Sequence, residues 1–82
     1  MPYIKQEFRV AVRPTSQSAP VIAGDLNFQI TTLLITYIHQ HGKSYNTLNE
    51  IVGALECAKL ELYRRVVAPY EDEKIKVNGD VY

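Results

Sequence analysis

This sequence of 82 residues has a single cysteine and no net charge, and both facts limit what the protein can be. Cys57 is the single cysteine, so no disulfide can form within the chain, and a lone thiol is typical of a core residue in a reducing compartment. Nine basic and nine acidic side chains cancel, which removes the positive field that steers non-specific nucleic-acid binders. We therefore expect a cytoplasmic protein, and nucleic acid is disfavoured as its partner.

Long apolar runs are also absent. No run approaches the roughly 20 residues that a membrane-spanning helix needs. The amino-terminal residues lack the basic-then-apolar order of a signal peptide. The sequence therefore predicts no membrane partner.

The composition that is present predicts a folded chain, because 46% of the residues are hydrophobic and six are tyrosine. A chain this short builds one core, so we expect a single small helical domain over residues 1–82, with residues 1–24 as an arm and loop. Such chains usually need a disulfide, a metal or a partner subunit for stability. With one cysteine and no cluster of metal ligands, the sequence favours a homo-oligomer.

Helical periodicity predicts a mainly α-helical fold, built on a helical hairpin of about 25–41 and 47–67. Asp25 suits the start of the first helix and Gly42 its end. Most apolar residues of this helix share one broad face. Phe28 and Ile35 fall on the opposite side, and this second apolar patch predicts contact with another subunit.

The second helix of the hairpin is predicted to begin with a capping box formed by Thr47 and Glu50. It should end before Pro69, where a short third helix of about 69–77 begins. At the other end of the chain, the alternation of apolar residues from Phe8 to Val12 predicts a short amino-terminal strand. The polar stretch from Pro14 to Pro20 predicts a loop.

Lys59 is the most unusual candidate residue, because it projects into the apolar stripe of the second helix. A buried ammonium group is costly unless it is paired, so one interpretation is an ion pair with Glu56 or with an acid of another subunit. The other is a ligand site, in which Lys59 beside Tyr63 receives a phosphate or carboxylate and Arg64 or Arg65 adds a bidentate contact.

The remaining polar candidates also have two interpretations. Arg65 follows Glu61 by four residues, which is typical of a solvated intrahelical pair, whereas Arg64 and Arg65 together could bind the phosphates of a nucleotide. Asn27 projects into the apolar face of the first helix. Its amide either fixes the register between helices or binds the polar edge of a ligand.

Catalysis and metal binding have no recognisable site in the sequence. His39 and His41 are two residues apart, so on a helix they point in nearly opposite directions and cannot share a metal ion. No histidine lies near Cys57 in sequence to activate its thiol. We therefore expect a protein that is not an enzyme and that has no cofactor.

The carboxy-terminal half resembles a known family. Its run GALECAKLELYRRVVAPYEDEKIKVNGDVY, from Gly53 to Tyr82, is similar to the ending of small uncharacterised proteins of bacteriophages and bacterial genomes. The opening MPYIKQE, the GDLNFQIT helix start and residues 45–50 extend the match. The chain departs from this family between Phe8 and Ile22, which includes two prolines. The resemblance implies a phage-type protein in the cytoplasm of a bacterial host, and it supplies no active-site residues to carry over.

Two functions follow as hypotheses. The first is a non-enzymatic protein that sequesters a small anionic ligand of nucleotide type at a subunit interface, as an anti-defence factor. Its predicted ligand-binding residues are Lys59, Tyr63, Arg64, Arg65, Asn27 and Glu56. The alternative is a protein-protein interaction module, an inhibitor or assembly factor, that docks through exposed apolar side chains such as Phe8 and Phe28.

Overall fold

The fold is helical throughout the part of the chain that the structure, a computed structural model, describes, which is residues 4–12 and 19–82. This confirms the predicted mainly α-helical class, with two principal helices and a short carboxy-terminal helix. The elements in chain order are α1 (Gln6–Val12), α2 (Ala23–His41), α3 (Tyr45–Leu62), a π-helical segment (Tyr63–Val67) and α4 (Ala68–Asn78).

The chain divides into two compact units. The described residues of one unit end at Ile51, and the other unit is Val52–Tyr82. The candidate ligand-binding residues fall in both units.

The segment from Phe8 to Val12, predicted to be a strand, lies in helix α1, so that prediction was wrong. The alternation covers only five residues, and so short a pattern does not separate a strand from a helix. A strand also needs a second strand beside it, and none occurs in residues 4–12 or 19–82. Locally, the Phe8 amide donates to the Lys5 carbonyl at 3.0 Å. Most of the loop predicted from Pro14 to Pro20 lies outside the described residues.

Helix α2 begins two residues earlier than predicted and ends where the sequence indicated. Asp25 lies in the first turn, where its carboxylate accepts from the amides of Val21 at 3.2 Å and Ile22 at 3.4 Å. At the other end Gly42 has a φ of 87°, and its amide donates to the Ile38 carbonyl at 2.7 Å. Glycine suits this position because a side chain would be strained at positive φ.

Helix α3 is capped by Ser44, so the predicted capping box of Thr47 and Glu50 was wrong. The Ser44 Oγ accepts from the Thr47 amide at 3.1 Å and donates to the Thr47 Oγ1 at 3.0 Å. Glu50 instead accepts from the Tyr37 hydroxyl at 3.4 Å. Ser44 and Thr47 both carry a hydroxyl that can cap a helix, and the cap is Ser44 because α3 begins at Tyr45, directly after it.

As predicted, a short carboxy-terminal helix begins beside Pro69, but the backbone keeps a helical path up to its start. Leu62 and Ala68 on either side of the π-helical segment both have right-handed helical dihedrals. The Ala68 amide donates to the Tyr63 carbonyl, five residues back. Proline has no amide hydrogen, and its ring clashes with the carbonyl four residues earlier in an α-helix. The wider π turn accommodates the ring, so the helical path continues into α4.

Apolar side chains remain accessible along the helices. Among residues 4–9 and 19–82, whose burial the structure describes, Thr47 is the one buried residue and no apolar residue is buried. Full burial of one Val, Leu or Ile contributes about 1.5–3 kcal/mol, and the net stability of a domain is only about 5–15 kcal/mol. Burial of a few of these side chains against another molecule would therefore add free energy comparable with the net stability of a domain. The exposed large apolar residues include Leu26, Phe28, Leu33 and Ile35 on α2 and Val52, Leu55, Leu60 and Leu62 on α3.

The Ser44 cap gives a first testable prediction. Replacing Ser44 with Ala should lower the free energy of unfolding by about 1 kcal/mol, because the Thr47 amide loses its acceptor. Urea denaturation followed by circular dichroism at fixed protein concentration measures this change. Thr36→Ala is the control, since its hydroxyl donates to the Thr32 carbonyl within α2 and caps nothing. Equal losses in both variants would contradict the assignment of Ser44 as the cap.

Candidate basic site at the end of helix α3

Four of the predicted ligand-binding residues lie where α3 passes into the π-helical segment. We call Lys59, Tyr63, Arg64 and Arg65 the basic segment. All four belong to the unit Val52–Tyr82 and all are exposed. These four residues therefore lie on consecutive turns of one helical path.

Lys59 forms an ion pair with Glu56, one helical turn earlier. The distance from Lys59 Nζ to Glu56 Oε1 is 3.2 Å, and the two side chains are 69% and 56% exposed. This pair is the one that the ion-pair interpretation predicted. The ammonium group remains solvated in the chain, so the cost of burying it arises only when another molecule covers this face.

Arg64 and Arg65 share one carboxylate. Arg64 Nη2 donates to Glu61 Oε1, and Arg65 Nη1 lies 3.6 Å from the same oxygen, which confirms the predicted pairing of Arg65 with Glu61. The Glu61 side chain is only 20% exposed, whereas the arginines are 69% and 59% exposed. Two cations beside one carboxylate leave this trio with a net positive charge.

Tyr63 is held by a contact that the sequence analysis missed. Its hydroxyl donates to Glu71 Oε1 at 2.9 Å, across the π-helical segment. This hydrogen bond, the charge of Glu71 and then desolvation raise the pKa of the Tyr63 phenol above its ordinary value. In a regular helix two residues eight apart point about 80° away from each other. The wider turn removes much of that difference, and only recognition of the π turn before Pro69 would have indicated the pair.

Asn27 lies in the other compact unit, on α2. Its Oδ1 accepts from the Thr31 hydroxyl at 3.5 Å, and the residue is exposed. The basic segment belongs to the other unit, Val52–Tyr82. The predicted roles of Asn27, helix register or ligand binding, therefore stay predictions.

The two histidines lie near the end of α2 and are exposed. The His41 ring lies 4.2 Å from the Tyr37 ring, measured between centroids, at an interplanar angle of 36°. Desolvation, followed by the charge and hydrogen bond of Glu50, raises the pKa of Tyr37. Over residues 4–12 and 19–82, no three or more His, Cys, Asp or Glu side chains are grouped so that they could hold a metal ion.

A shallow groove of about 300 Å³ lies between α4 and the carboxy-terminal tail. Tyr70 and Ile75 supply apolar surface on the helix side, and Tyr82 does so from the tail. Lys74 Nζ lies 5.3 Å from the centre of the Tyr70 ring. Glu71 also lines the groove, so its carboxylate would oppose an anionic ligand there. The basic segment is the better anion site.

The fold and the site define a small helical protein with an exposed cluster of cations. Residues 1–81 match the model of a family described as a domain of unknown function, DUF6899, and the chain belongs to this family. No curated protein and no solved structure matches the chain. In the part of the chain that is described, no helix has the length and apolar content needed to cross a membrane.

The Tyr63–Glu71 contact predicts a pH dependence of stability. Because the folded-state pKa of Tyr63 is raised, its contribution is complete below the unfolded pKa of about 10 and is lost as pH rises through the folded value. The stability difference between the wild type and Tyr63→Phe should therefore be constant from pH 7 to pH 9 and shrink above pH 10. Urea midpoints measured across this range test it.

A spectroscopic control separates this contact from a general packing effect. Tyrosine ionisation followed by ultraviolet absorbance should lose a late-titrating component in Tyr63→Phe. Glu71→Gln should shift that component to lower pH, because it removes the negative charge beside the phenol. An unchanged titration in Glu71→Gln would contradict the assigned cause.

Proposed function

We propose that this protein is a non-enzymatic, oligomeric binding protein that sequesters a small anionic ligand of nucleotide type at a subunit interface. In this proposal Arg64 and Arg65 bind the phosphates, and Tyr63 provides an aromatic surface beside them. Lys59 and Glu56 line or support the interface that holds the ligand, and Asn27 of the other unit is a separate candidate contact. The resemblance to phage-encoded proteins supports a role as an anti-defence factor in the cytoplasm of a bacterial host.

The arrangement of Arg64 and Arg65 around Glu61 carries the proposal. A guanidinium group offers five N–H donors in a planar fork that fits phosphate oxygens. The half-buried Glu61 carboxylate orients both groups, while each remains more than half exposed to a ligand. The segment is thus prepared for an anion, because the positions of its cations are already restrained.

The existing ion pairs do not oppose this role strongly. An exposed pair contributes only about 0–1 kcal/mol. Hydrogen bonds from arginine to a phosphate are charge-assisted and often bidentate, so they are stronger than ordinary surface contacts. An incoming phosphate can therefore add to the net positive trio of Glu61, Arg64 and Arg65 without a large cost.

Assembly is supported by the accessible apolar surface. Among residues 4–9 and 19–82 no apolar residue is fully buried, so apolar burial in the single chain is small and would grow when another surface covers its helices. Phe28 and Leu33 on α2 are 70% and 68% exposed. A subunit interface that covers such residues would also lower the local dielectric around a bound anion and strengthen its contacts.

Native mass spectrometry of protein purified from bacterial cells tests the proposal. We expect an oligomer that carries extra mass corresponding to a small nucleotide at each site and loses it on denaturation. An oligomer without extra mass, which also fails to bind added mononucleotides, dinucleotides or cyclic nucleotides, would contradict sequestration.

Substitution of the arginines localises the site. Arg64→Gln and Arg65→Gln should each weaken nucleotide binding about tenfold or more, because a charged fork is replaced by a neutral amide. Isothermal titration calorimetry with the retained nucleotide measures the effect. Lys76→Gln removes the same charge from exposed α4 and should leave affinity nearly unchanged. Equal losses in all three variants would indicate a non-specific charge effect and would contradict the assigned site.

The second candidate function is a protein-protein interaction module, which the exposed aromatic residues of the amino-terminal unit favour. Phe8 is 59% exposed and Phe28 70%, while Ile35 on the same helix as Phe28 is 48% exposed. Aromatic side chains that become fully covered often dominate the binding energy of protein interfaces. An inhibitor or assembly factor would use such residues.

The substitution Phe28→Asp separates the two functions. If Phe28 contacts a target protein, this variant should lose target capture in a pull-down from bacterial cells. If Phe28 instead contacts another subunit, the variant should dissociate into smaller species in sedimentation velocity. Val77→Asp, at a 78% exposed position of α4, is the matched control. Retained capture of the same target by Phe28→Asp would contradict the docking role of this residue.

A further inference from the structure

We propose that two copies of this chain pair their α3 helices antiparallel, so that Lys59 of each copy contacts Glu56 of the partner subunit. The inference rests on the proposed function, because it names the partner at the proposed subunit interface. It uses only residues of the unit Val52–Tyr82.

The apolar spacing on α3 supports helix pairing. Val52, Leu55, Lys59 and Leu62 are separated by three, four and three residues, which is the pattern of the a and d positions in a coiled coil. Each of these side chains is exposed. We call these four residues the α3 seam. A seam of this kind needs a second helix along its length, because an apolar stripe that stays in water contributes no burial free energy.

A second copy of the same helix fits the α3 seam. The separations three, four and three read the same in both directions, so an antiparallel copy presents the same pattern. With the two-fold axis beside Cys57, Val52 lies across from Leu62 of the partner subunit, and Leu55 lies across from Lys59 of the partner subunit. Every seam position then has one partner, as an isologous interface requires.

The charges select the antiparallel direction. Glu56 lies about 60° around the helix from Lys59, on the edge of the seam nearest to it. In an antiparallel two-fold pair these edges meet, and Lys59 and Glu56 of the partner subunit differ in height by about one residue, or 1.5 Å. A parallel pair would instead place Lys59 against Lys59 of the partner subunit, which is repulsive.

The ion pair seen within one chain is consistent with this exchange. Lys59 Nζ lies 3.2 Å from Glu56 Oε1 of its own chain, so the ammonium group already points toward the edge where the partner's carboxylate would lie. A lysine at a single a position lowers the stability of a helix pair and specifies its register. Lys59 would therefore fix both the direction and the register of the two helices.

Complementary charge variants of the full chain test the inference. Lys59→Glu places only carboxylates at this edge, and Glu56→Lys places only ammonium groups, so each variant alone should dimerise about tenfold more weakly or worse. An equimolar mixture should recover dimers, because Glu at position 59 of one chain then meets Lys at position 56 of the other. Sedimentation velocity with one variant fluorescently labelled measures heterodimers directly. Leu60→Glu, off the seam at a 57% exposed position, is the control and should leave the dimer intact.

Cysteine cross-linking tests the direction independently. In a Cys57→Ser background, a mixture of Val52→Cys and Leu62→Cys chains should form a disulfide-linked heterodimer on mild oxidation. Val52→Cys alone should not cross-link, because its position lies across from Leu62 of the partner subunit. Cross-linking of Val52→Cys alone would overturn the antiparallel register.

The outcomes distinguish this inference from the proposed function. Wild-type oligomers that bind nucleotide, combined with no recovery on mixing, would overturn the pairing of α3 and leave sequestration standing. Recovery on mixing by a protein that binds no nucleotide would support the pairing and contradict sequestration. A folded wild-type monomer at all concentrations measured would overturn both.

Discussion

The helices of this protein depend on apolar surface that the single chain does not cover. Among residues 4–9 and 19–82 Thr47 is the one buried residue, and its burial accompanies the capping of α3 by Ser44. Apart from the hydrogen bond from Tyr37 on α2 to Glu50 on α3, the contacts named above are local: caps, backbone hydrogen bonds and ion pairs within one or two turns. Such contacts contribute roughly 0.3–2 kcal/mol each, and an isolated helix of ordinary length is marginal in water. The stability of the fold is therefore expected to come from the surfaces that cover α2 and α3.

The charged side chains of the basic segment also form contacts within one helical turn. Lys59 pairs three residues back, and both arginines pair with Glu61 within one turn. Because these pairs are formed inside one helix, they need no tertiary structure and hold the cations in fixed positions before assembly. The Lys59 pair is neutral, whereas the arginine trio keeps a positive charge. The two groups therefore suit different tasks, the first a contact between subunits and the second the binding of an anion.

Local features of the sequence predicted the parts of the structure that local forces determine. The helical class, the end of α2 at Gly42 and the Arg65–Glu61 pair follow from periodicity and spacing within one turn. Predictions failed where two local signals competed, as with the two alternative caps of α3, or where a rare geometry replaced a common one. Pro69 usually ends a helix, but the π turn keeps it within the helical path and brings Tyr63 to Glu71. The partners of the ligand-binding candidates across subunits could not be predicted, because they depend on an assembly rather than on spacing.

Ligand binding and assembly are then expected to be coupled, because the α3 seam and the arginines lie on consecutive turns of one helical path. A ligand that binds only the assembled state stabilises that state by RT ln(1 + [L]/Kd), which is about 2.7 kcal/mol at one hundred times Kd. For a chain with exposed apolar helices, this is a large fraction of a typical folding free energy. Tight sequestration would therefore also reinforce the oligomer. By reciprocity, substitutions that weaken the α3 seam should lower nucleotide affinity even though they leave Arg64 and Arg65 in place.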